Sequence, residues 1–338
     1  MSLPKTYKQA AFKGLGEKLV LEEAPLKLPG SGQILVKVEA CGICHTDLCA
    51  QYNYLGGGFP IVPGHEIVGT VAAVGENVTG WSVGDRIGAG YHGGHDETCD
   101  QCLQGWPQMC DNPVANGITI NGGFAEYTIL NANAAVHVPK DVDAAKAAPI
   151  LCAGSTVFNA LRHAGLKPGD TVAIQGLGGL GHLAIQYANR MGYRVVAVSR
   201  GAEKEKAARA LGAHEYIDTS KGDAGAQLKA LGGAQVALTT ALSVETFTPL
   251  IRGLKIMGKL MVLSLPGEMT VSHTDMIQRG ISVQAWPVSN NKESEKAIEF
   301  TVRHGVECAV ETYSLSQAQE AYDAMLAGTP RFRAVIKF

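Results

Sequence analysis

The chain has 338 residues, 46% of them apolar and 18% charged, with a formal charge of −2. That length exceeds one small core and suits about two domains, and the composition excludes a disordered chain. The near-neutral balance excludes a strong field for nucleic acid or a membrane surface, and no run of about 20 apolar residues offers a membrane span.

The opening Met1-Ser2-Leu3-Pro4-Lys5-Thr6-Tyr7-Lys8 has no apolar signal core, so a cytoplasmic protein with reduced thiols is expected. In that setting the eight cysteines read as metal ligands or core thiols rather than disulfides. The 41 glycines exceed the roughly 24 expected from average usage, and their scatter points to many tight turns.

In chain order, the turn Pro29-Gly30-Ser31-Gly32 leads into a predicted strand over 34–40. A second strand spans 68–75, with glycines that suggest bends. Residues 88–123 read as loop, rich in Gly, Asp, Asn, His and Cys, with no apolar period to order them. Near 150 the character changes. Apolar strands at 171–175 and 194–198 alternate with helices at 182–191 and 202–211, which implies βαβ units and a parallel sheet up to about Trp286. Residues 290–327 return to helix and short strand, and 333–338 read as a closing strand.

Gly176-Leu177-Gly178-Gly179-Leu180-Gly181 is a G-x-G-x-x-G turn between a strand and a helix. Gly176 permits the tight turn, Gly178 lets a pyrophosphate approach, and Gly181 lets helix and strand pack closely. The backbone from Gly176 through Gly179 and Leu180 to Gly181 is therefore expected to cradle a dinucleotide. The next strand ends in Val198-Ser199-Arg200, with no carboxylate for a ribose 2′-OH. Ser199 and Arg200 can instead bind a 2′-phosphate, with Lys204 grouped beside them, so NADP(H) is expected ahead of NAD(H).

Cys44, His65-Glu66 and Cys152 supply two thiolates and an imidazole. Such a set leaves the fourth tetrahedral position of a zinc ion open. With the nucleotide loop, they make a zinc-assisted redox site the leading expectation.

Cys41-Gly42-Ile43-Cys44-His45-Thr46-Asp47 resembles the first zinc motif of the zinc-containing medium-chain alcohol dehydrogenases. Gly64-His65-Glu66-x-x-Gly69-x5-Gly75-x-x-Val78 matches that family's signature. Gly84-Asp85-Arg86, Gly122-Gly123-Phe124-Ala125-Glu126-Tyr127 and Pro149-Ile150-Leu151-Cys152-Ala153-Gly154 follow in the same order. The resemblance covers essentially the whole chain and is strongest to microbial and cinnamyl-type alcohol dehydrogenases. It implies an α/β protein with a GroES-like β-rich catalytic domain (1–153), a Rossmann doubly wound parallel sheet (154–287), and a C-terminal return to the catalytic domain (288–338).

By that resemblance Cys44, His65 and Cys152 would hold a catalytic zinc, with Glu66 beneath it. Asp47 would fix the His65 tautomer. Thr46 would accept the substrate hydroxyl proton, and His45 would lie near the cofactor pyrophosphate. Thr156 and the Leu263–Leu265 stretch would border the nicotinamide, and Arg333 would help hold the phosphates. Cys49 stands where many relatives carry the histidine that ends the proton relay, and a thiol is a poor base unless its pKa is lowered. The family's structural-zinc lobe has four cysteines; here Asp96 precedes Cys99, Cys102 and Cys110, with His95 as a possible substitute. Cys41 and Cys308 are expected to be ordinary thiols.

The implied function is zinc-dependent hydride transfer between NADP(H) and a primary alcohol/aldehyde pair, with two zinc ions per chain. The alternatives are an NAD-dependent alcohol dehydrogenase, or a zinc- and nucleotide-binding relative without turnover. Tyr52, Tyr54, Trp81, Trp106 and Trp286 are candidate walls of an apolar substrate pocket. A homo-oligomer, dimer or tetramer, is expected, with no nucleic-acid or membrane partner.

Overall fold

The computed structural model describes residues 3–265 and 267–338. The chain divides into two compact units. The first runs to Ser155 and takes in Val288–Arg303 and Cys308–Phe338; the second comprises Thr156–Pro287 and His304–Glu307.

The first unit is built on a seven-stranded sheet. Its strand order is Val310–Tyr313, Arg333–Lys337, Gln33–Gly42, Glu66–Val74, Arg86–Ala89 and Val136–His137, with Tyr127–Asn131 also paired to Gln33–Gly42. The closing strand joins antiparallel, with Ile336 opposite Cys41 and Val335 opposite Gly42. This pairing gives Arg333–Lys337 backbone partners and brings its buried Ala334, Val335 and Ile336 into the sheet. Phe12, Ile34, Ile67, Ile87, Phe124, Leu130 and Tyr322 form the core of the unit, each at most 1% exposed.

The 88–123 stretch is more structured than its composition suggests. It holds a ladder of His92–Gly94 with Val114–Ala115, a one-turn helix Asp100–Leu103 and a 3-10 turn Pro107–Met109. None of these is long enough to show a sequence period.

The second unit is a six-stranded parallel sheet in the order Glu215–Asp218, Arg194–Ser199, Thr171–Gln175, Ala234–Thr239, Leu254–Val262, Ser282–Ala285. That order reverses direction beside Thr171–Gln175, the crevice where doubly wound sheets bind ligands. Thr171–Gln175 is buried throughout, as a strand covered on both faces must be. Among the described residues, no helix is long and apolar enough to cross a membrane.

Candidate active site and metal centres

Strand Gln33–Gly42 ends two residues before Cys44, which caps the single turn His45–Asp47. Asp47 is fully buried and ties two segments together. Its Oδ2 accepts the Cys44 N–H at 2.9 Å; its Oδ1 lies 3.1 Å from His65 Nδ1 and accepts the Gly64 N–H at 3.3 Å. With Nδ1 committed to Asp47, His65 Nε2 is left buried with no hydrogen-bond partner. An orphaned buried imidazole nitrogen is costly unless a cation or donor completes it.

Cys152 follows the turn Ala148–Leu151, and its Sγ lies 3.9 Å from Cys44 Sγ. Two thiolates at about 2.3 Å from a tetrahedral ion would stand about 3.8 Å apart. One ligand atom each from Cys44, His65, Glu66 and Cys152 falls within 4.8 Å of the others. The donor set, its spacing and the orphaned Nε2 all fit zinc. The Cys152 thiol beside Cys44 holds the Cys44 thiol well below its usual range.

Glu66 is fully buried and its Oε1 pairs with Arg333 Nη2. The same Nη2 donates to the Ile43 carbonyl at 3.0 Å. Burial pushes Glu66 up to about 7, against the pull of Arg333. Gly42 makes the space, because a Cβ there would overlap Glu66 Oε2. The resemblance gives Arg333 to the cofactor phosphates; here it is 6% exposed and its Nη2 is engaged with Glu66. An unpaired carboxylate so deeply buried would otherwise be strongly disfavoured.

Thr46 Oγ1 lies 3.6 Å from Cys44 Sγ, and His45 beside it is exposed. Burial pushes the Cys49 thiol up, so it does not act as a base near neutral pH. Tyr91 sets its ring edge-on to His65, with centroids 6.1 Å apart. Nothing in the sequence marked Tyr91, because a single aromatic after a glycine-rich turn carries no pattern.

The five aromatic residues expected as pocket walls divide. Tyr52 and Tyr54 stack at 5.8 Å and are exposed, and Trp106 is 38% exposed. Trp81 stacks on His137 and donates to the Ala132 carbonyl, and Trp286 stacks on His163.

The second cluster brings Asp96, Cys99, Cys102 and Cys110 together, again within 4.8 Å. Cys99 Sγ is 3.5 Å from Cys102 Sγ and 3.8 Å from Cys110 Sγ. The Asp96 and Asn112 N–H groups point at Cys110 Sγ, at 3.4 and 3.3 Å. His95 turns elsewhere: its Nδ1 is 3.2 Å from His92 Nε2 and the rings stack. The oxygen brought to the thiols is therefore that of Asp96, and three sulfurs with one carboxylate fit zinc. The Cys99 N–H, followed by Asn112 and Thr98, holds the Asp96 carboxyl well below its ordinary range.

In the second unit the glycine loop joins strand Thr171–Gln175 to helix Gly181–Arg190. Gly176 has φ +97°, and a Cβ on Gly181 would overlap the Gly176 carbonyl oxygen. A Cβ on exposed Gly178 would meet nothing within 4 Å, which leaves that face open to a pyrophosphate. Gly179 and Leu180 are partly buried.

Ser199 is partly buried at the strand tip, Arg200 is exposed, and Lys204 is partly buried at the end of the turn Ala202–Lys204. Arg200 forms no ion pair among the described residues. Two residues that the sequence did not single out hold this tip. Tyr216 Oη donates to the Gly201 carbonyl at 2.6 Å, and Asp218 Oδ1 accepts the Gly201 N–H at 2.9 Å. Thr156 is partly buried on helix Ala153–His163. Leu263 is partly buried after strand Leu254–Val262, its N–H on the Thr239 carbonyl, and Leu265 is 89% exposed.

Residues 30–140 match the alcohol dehydrogenase GroES-like domain, and residues 179–303 match the zinc-binding dehydrogenase domain. The chain is 60% identical over 336 residues to alcohol dehydrogenase notN of Aspergillus sp. (strain MF297-2), covering 99% of each. It is 57% identical over 333 residues to alcohol dehydrogenase patD of Penicillium expansum, covering 98% of each. Among solved structures, a cinnamyl alcohol dehydrogenase from Sorghum bicolor superposes with a TM-score of 0.89 at 30% identity, covering 98% of each chain. With this sequence and this fold, the chain belongs to the zinc-type alcohol dehydrogenases of the medium-chain dehydrogenase/reductase family.

Proposed function

We propose that the protein interconverts a primary alcohol and its aldehyde with NADP(H). Each chain would hold two zinc ions, one at Cys44, His65 and Cys152 and one at Asp96, Cys99, Cys102 and Cys110. The observation that carries this reading is the convergence of Cys44, His65, Glu66 and Cys152, with Thr46 Oγ1 3.6 Å from Cys44 Sγ. When bound, zinc supplies Lewis acidity at the substrate oxygen, and the nicotinamide accepts or gives the hydride.

The chain's own groups do the rest. Thr46 takes the hydroxyl proton and passes it outward; exposed His45 and the adjacent solvent are the candidate route, since Cys49 stays a thiol. Asp47 holds His65 so that Nε2 faces the thiolates. Arg333 keeps Glu66 in place beneath them. Tyr91 packs its ring edge-on against His65 and helps hold the imidazole.

The cofactor preference rests on the strand tip. Arg200 has no ion-pair partner among the described residues and can meet a 2′-phosphate through charge-assisted bonds. One observation favours NAD(H) instead: Asp218 sits in register beside Ser199. Its Oδ1 is already taken by the Gly201 and Ser220 N–H groups and the Ser220 hydroxyl, which leaves Oδ2 alone for a ribose diol.

The test is kcat/KM for NADPH and NADH on one aldehyde such as benzaldehyde. Charge-assisted bonds contribute roughly 1.5–3 kcal/mol each, so NADPH should lead by about tenfold to a hundredfold. Ser199→Asp with Arg200→Ala should reverse the order. A wild-type preference for NADH sinks the NADP assignment and leaves the metal chemistry standing.

We also propose a cytoplasmic, self-associating protein. Ile256, Met257 and Ile277 are 78, 76 and 83% exposed, which supports burial against a second copy. Light scattering on the purified chain would return a monomer mass if that is wrong.

A further inference from the structure

Asn112 belongs to neither ligand set. It is exposed, two residues after Cys110, and touches two members of the second centre. Its side-chain Nδ2 donates to Asp96 Oδ2 at 2.8 Å, and its backbone N–H points at Cys110 Sγ. The other carboxylate oxygen, Oδ1, accepts the Thr98 and Cys99 N–H groups at 2.9 and 3.0 Å. An ionised carboxylate offers about four lone-pair sites, two on each oxygen. Three of them are used here, two on Oδ1 and one on Oδ2, so the site still available to a cation is on Oδ2.

The difference from a cysteine lies in rotation. A thiolate is one atom and presents the same charge whichever way its neighbours turn. A carboxylate is planar, and its terminal torsion is broad and roughly two-fold. The Thr98 and Cys99 N–H groups anchor only Oδ1. The Asn112 amide adds a donor on Oδ2 from 16 positions away, so the planar group is held at both oxygens and from two sides.

We propose that Asn112 is the positioning residue that lets Asp96 serve in a centre otherwise made of thiolates, by holding Oδ2 where it can complete the ligand set. The inference rests on reading Asp96, Cys99, Cys102 and Cys110 as a zinc site.

The experiment titrates free zinc against the full-length protein in a metal buffer. Alkylation of Cys99, Cys102 and Cys110 is read by peptide mass spectrometry, since bound metal protects a thiolate. Substitution Asn112→Ala removes the amide but keeps the backbone N–H on Cys110. Loss of such an outer contact typically weakens metal binding by about 10–100-fold, so the protection midpoint should move to higher free zinc by that factor. In an Asp96→Cys background no carboxylate needs orienting, and the same Asn112→Ala change should shift the midpoint by less than about threefold.

If the wild-type thiols are never protected, the zinc reading fails and the role of Asn112 fails with it. Protection in the wild type with an unmoved midpoint in Asn112→Ala overturns the role of Asn112 alone. An equal shift in both backgrounds also overturns it, because Asn112 would then support the loop rather than the carboxylate. Should Asn112→Ala not fold, Asn112→Ser removes the same amide and is read in the same way.

Discussion

Asp47 and Arg333 show how single buried charges set the chemistry of their neighbours. Asp47 is fully buried and is the partner of His65 Nδ1. In Asp47→Asn the amide can present its NH₂ to Nδ1, which favours the tautomer with the proton on Nε2 and removes the ligand lone pair. Zinc content after mild chelation should then fall, with metal affinity down by about 10–100-fold; unchanged retention would argue against the assigned tautomer. Arg333 and Glu66 are a buried pair, and removing one partner of such a pair costs about 3–5 kcal/mol. Urea unfolding of Arg333→Met should show a loss of that size, and adding Glu66→Gln should return much of it. Thr46 is the third case. Thr46→Val keeps the shape and removes the proton acceptor, so kcat should drop by about 10²–10⁴-fold while cofactor binding holds. Full turnover in Thr46→Val would dismiss the hydroxyl as the acceptor.

At the scale of elements, function depends on how closely pieces of backbone approach. Helix Gly181–Arg190 meets the loop before it so tightly that a Cβ on Gly181 would overlap the Gly176 carbonyl oxygen. Backbone cannot swing aside as a long side chain can. Gly181→Ala should therefore push the helix start away from the loop and weaken NADPH binding by at least about tenfold, or roughly 1.4 kcal/mol. Fluorescence titration measures the affinity, and metal analysis of the same sample should be unchanged, because both ligand sets lie in the other unit. Wild-type NADPH affinity in Gly181→Ala would mean that the helix start is not part of the nucleotide site.

On the scale of the whole molecule, the proposed second zinc site would bear on stability. The 88–123 stretch holds only short elements, and three of its cysteines, with Asp96, converge on one point. A ligand that binds only the folded state stabilises it by about 4 kcal/mol when present at about 1,000 times its dissociation constant. Chelation should thus lower the melting temperature in zinc-buffered solution, and Cys99→Ser should remove the part of the shift owed to this centre. The same melting temperature in Cys99→Ser and wild type, with and without zinc, would rule out a stabilising ion there. The closing strand matters at this scale too: Arg333–Lys337 completes the first unit's sheet against Gln33–Gly42 and delivers Arg333 to Glu66.

The sequence by itself determined what is local. The strand–turn–helix around Gly176–Gly181 was readable because apolar period, glycine spacing and helix start lie within about twenty residues. The parallel sheet followed from alternating strands and helices, and the family followed from motifs in a fixed order. Spacing also grouped Cys99 with Cys102, which one turn of helix brings together. No local pattern shows which distant side chains meet: the resemblance implied the grouping of Cys44 with Cys152, and only the tertiary structure paired Glu66 with Arg333. Cys44 and Cys152 are 108 positions apart, and Glu66 and Arg333 are 267 apart. Strand register turned Arg333 inward to a buried carboxylate, a direction that no local pattern encodes. The choice of Asp96 over His95 was decided nearer by, within one loop, because His95 finds a ring to stack on in His92 while Asp96 finds the N–H groups of Thr98 and Cys99 and the amide of Asn112. Residue type fixes what a side chain can bind, but burial and backbone pairing fix which partner it reaches.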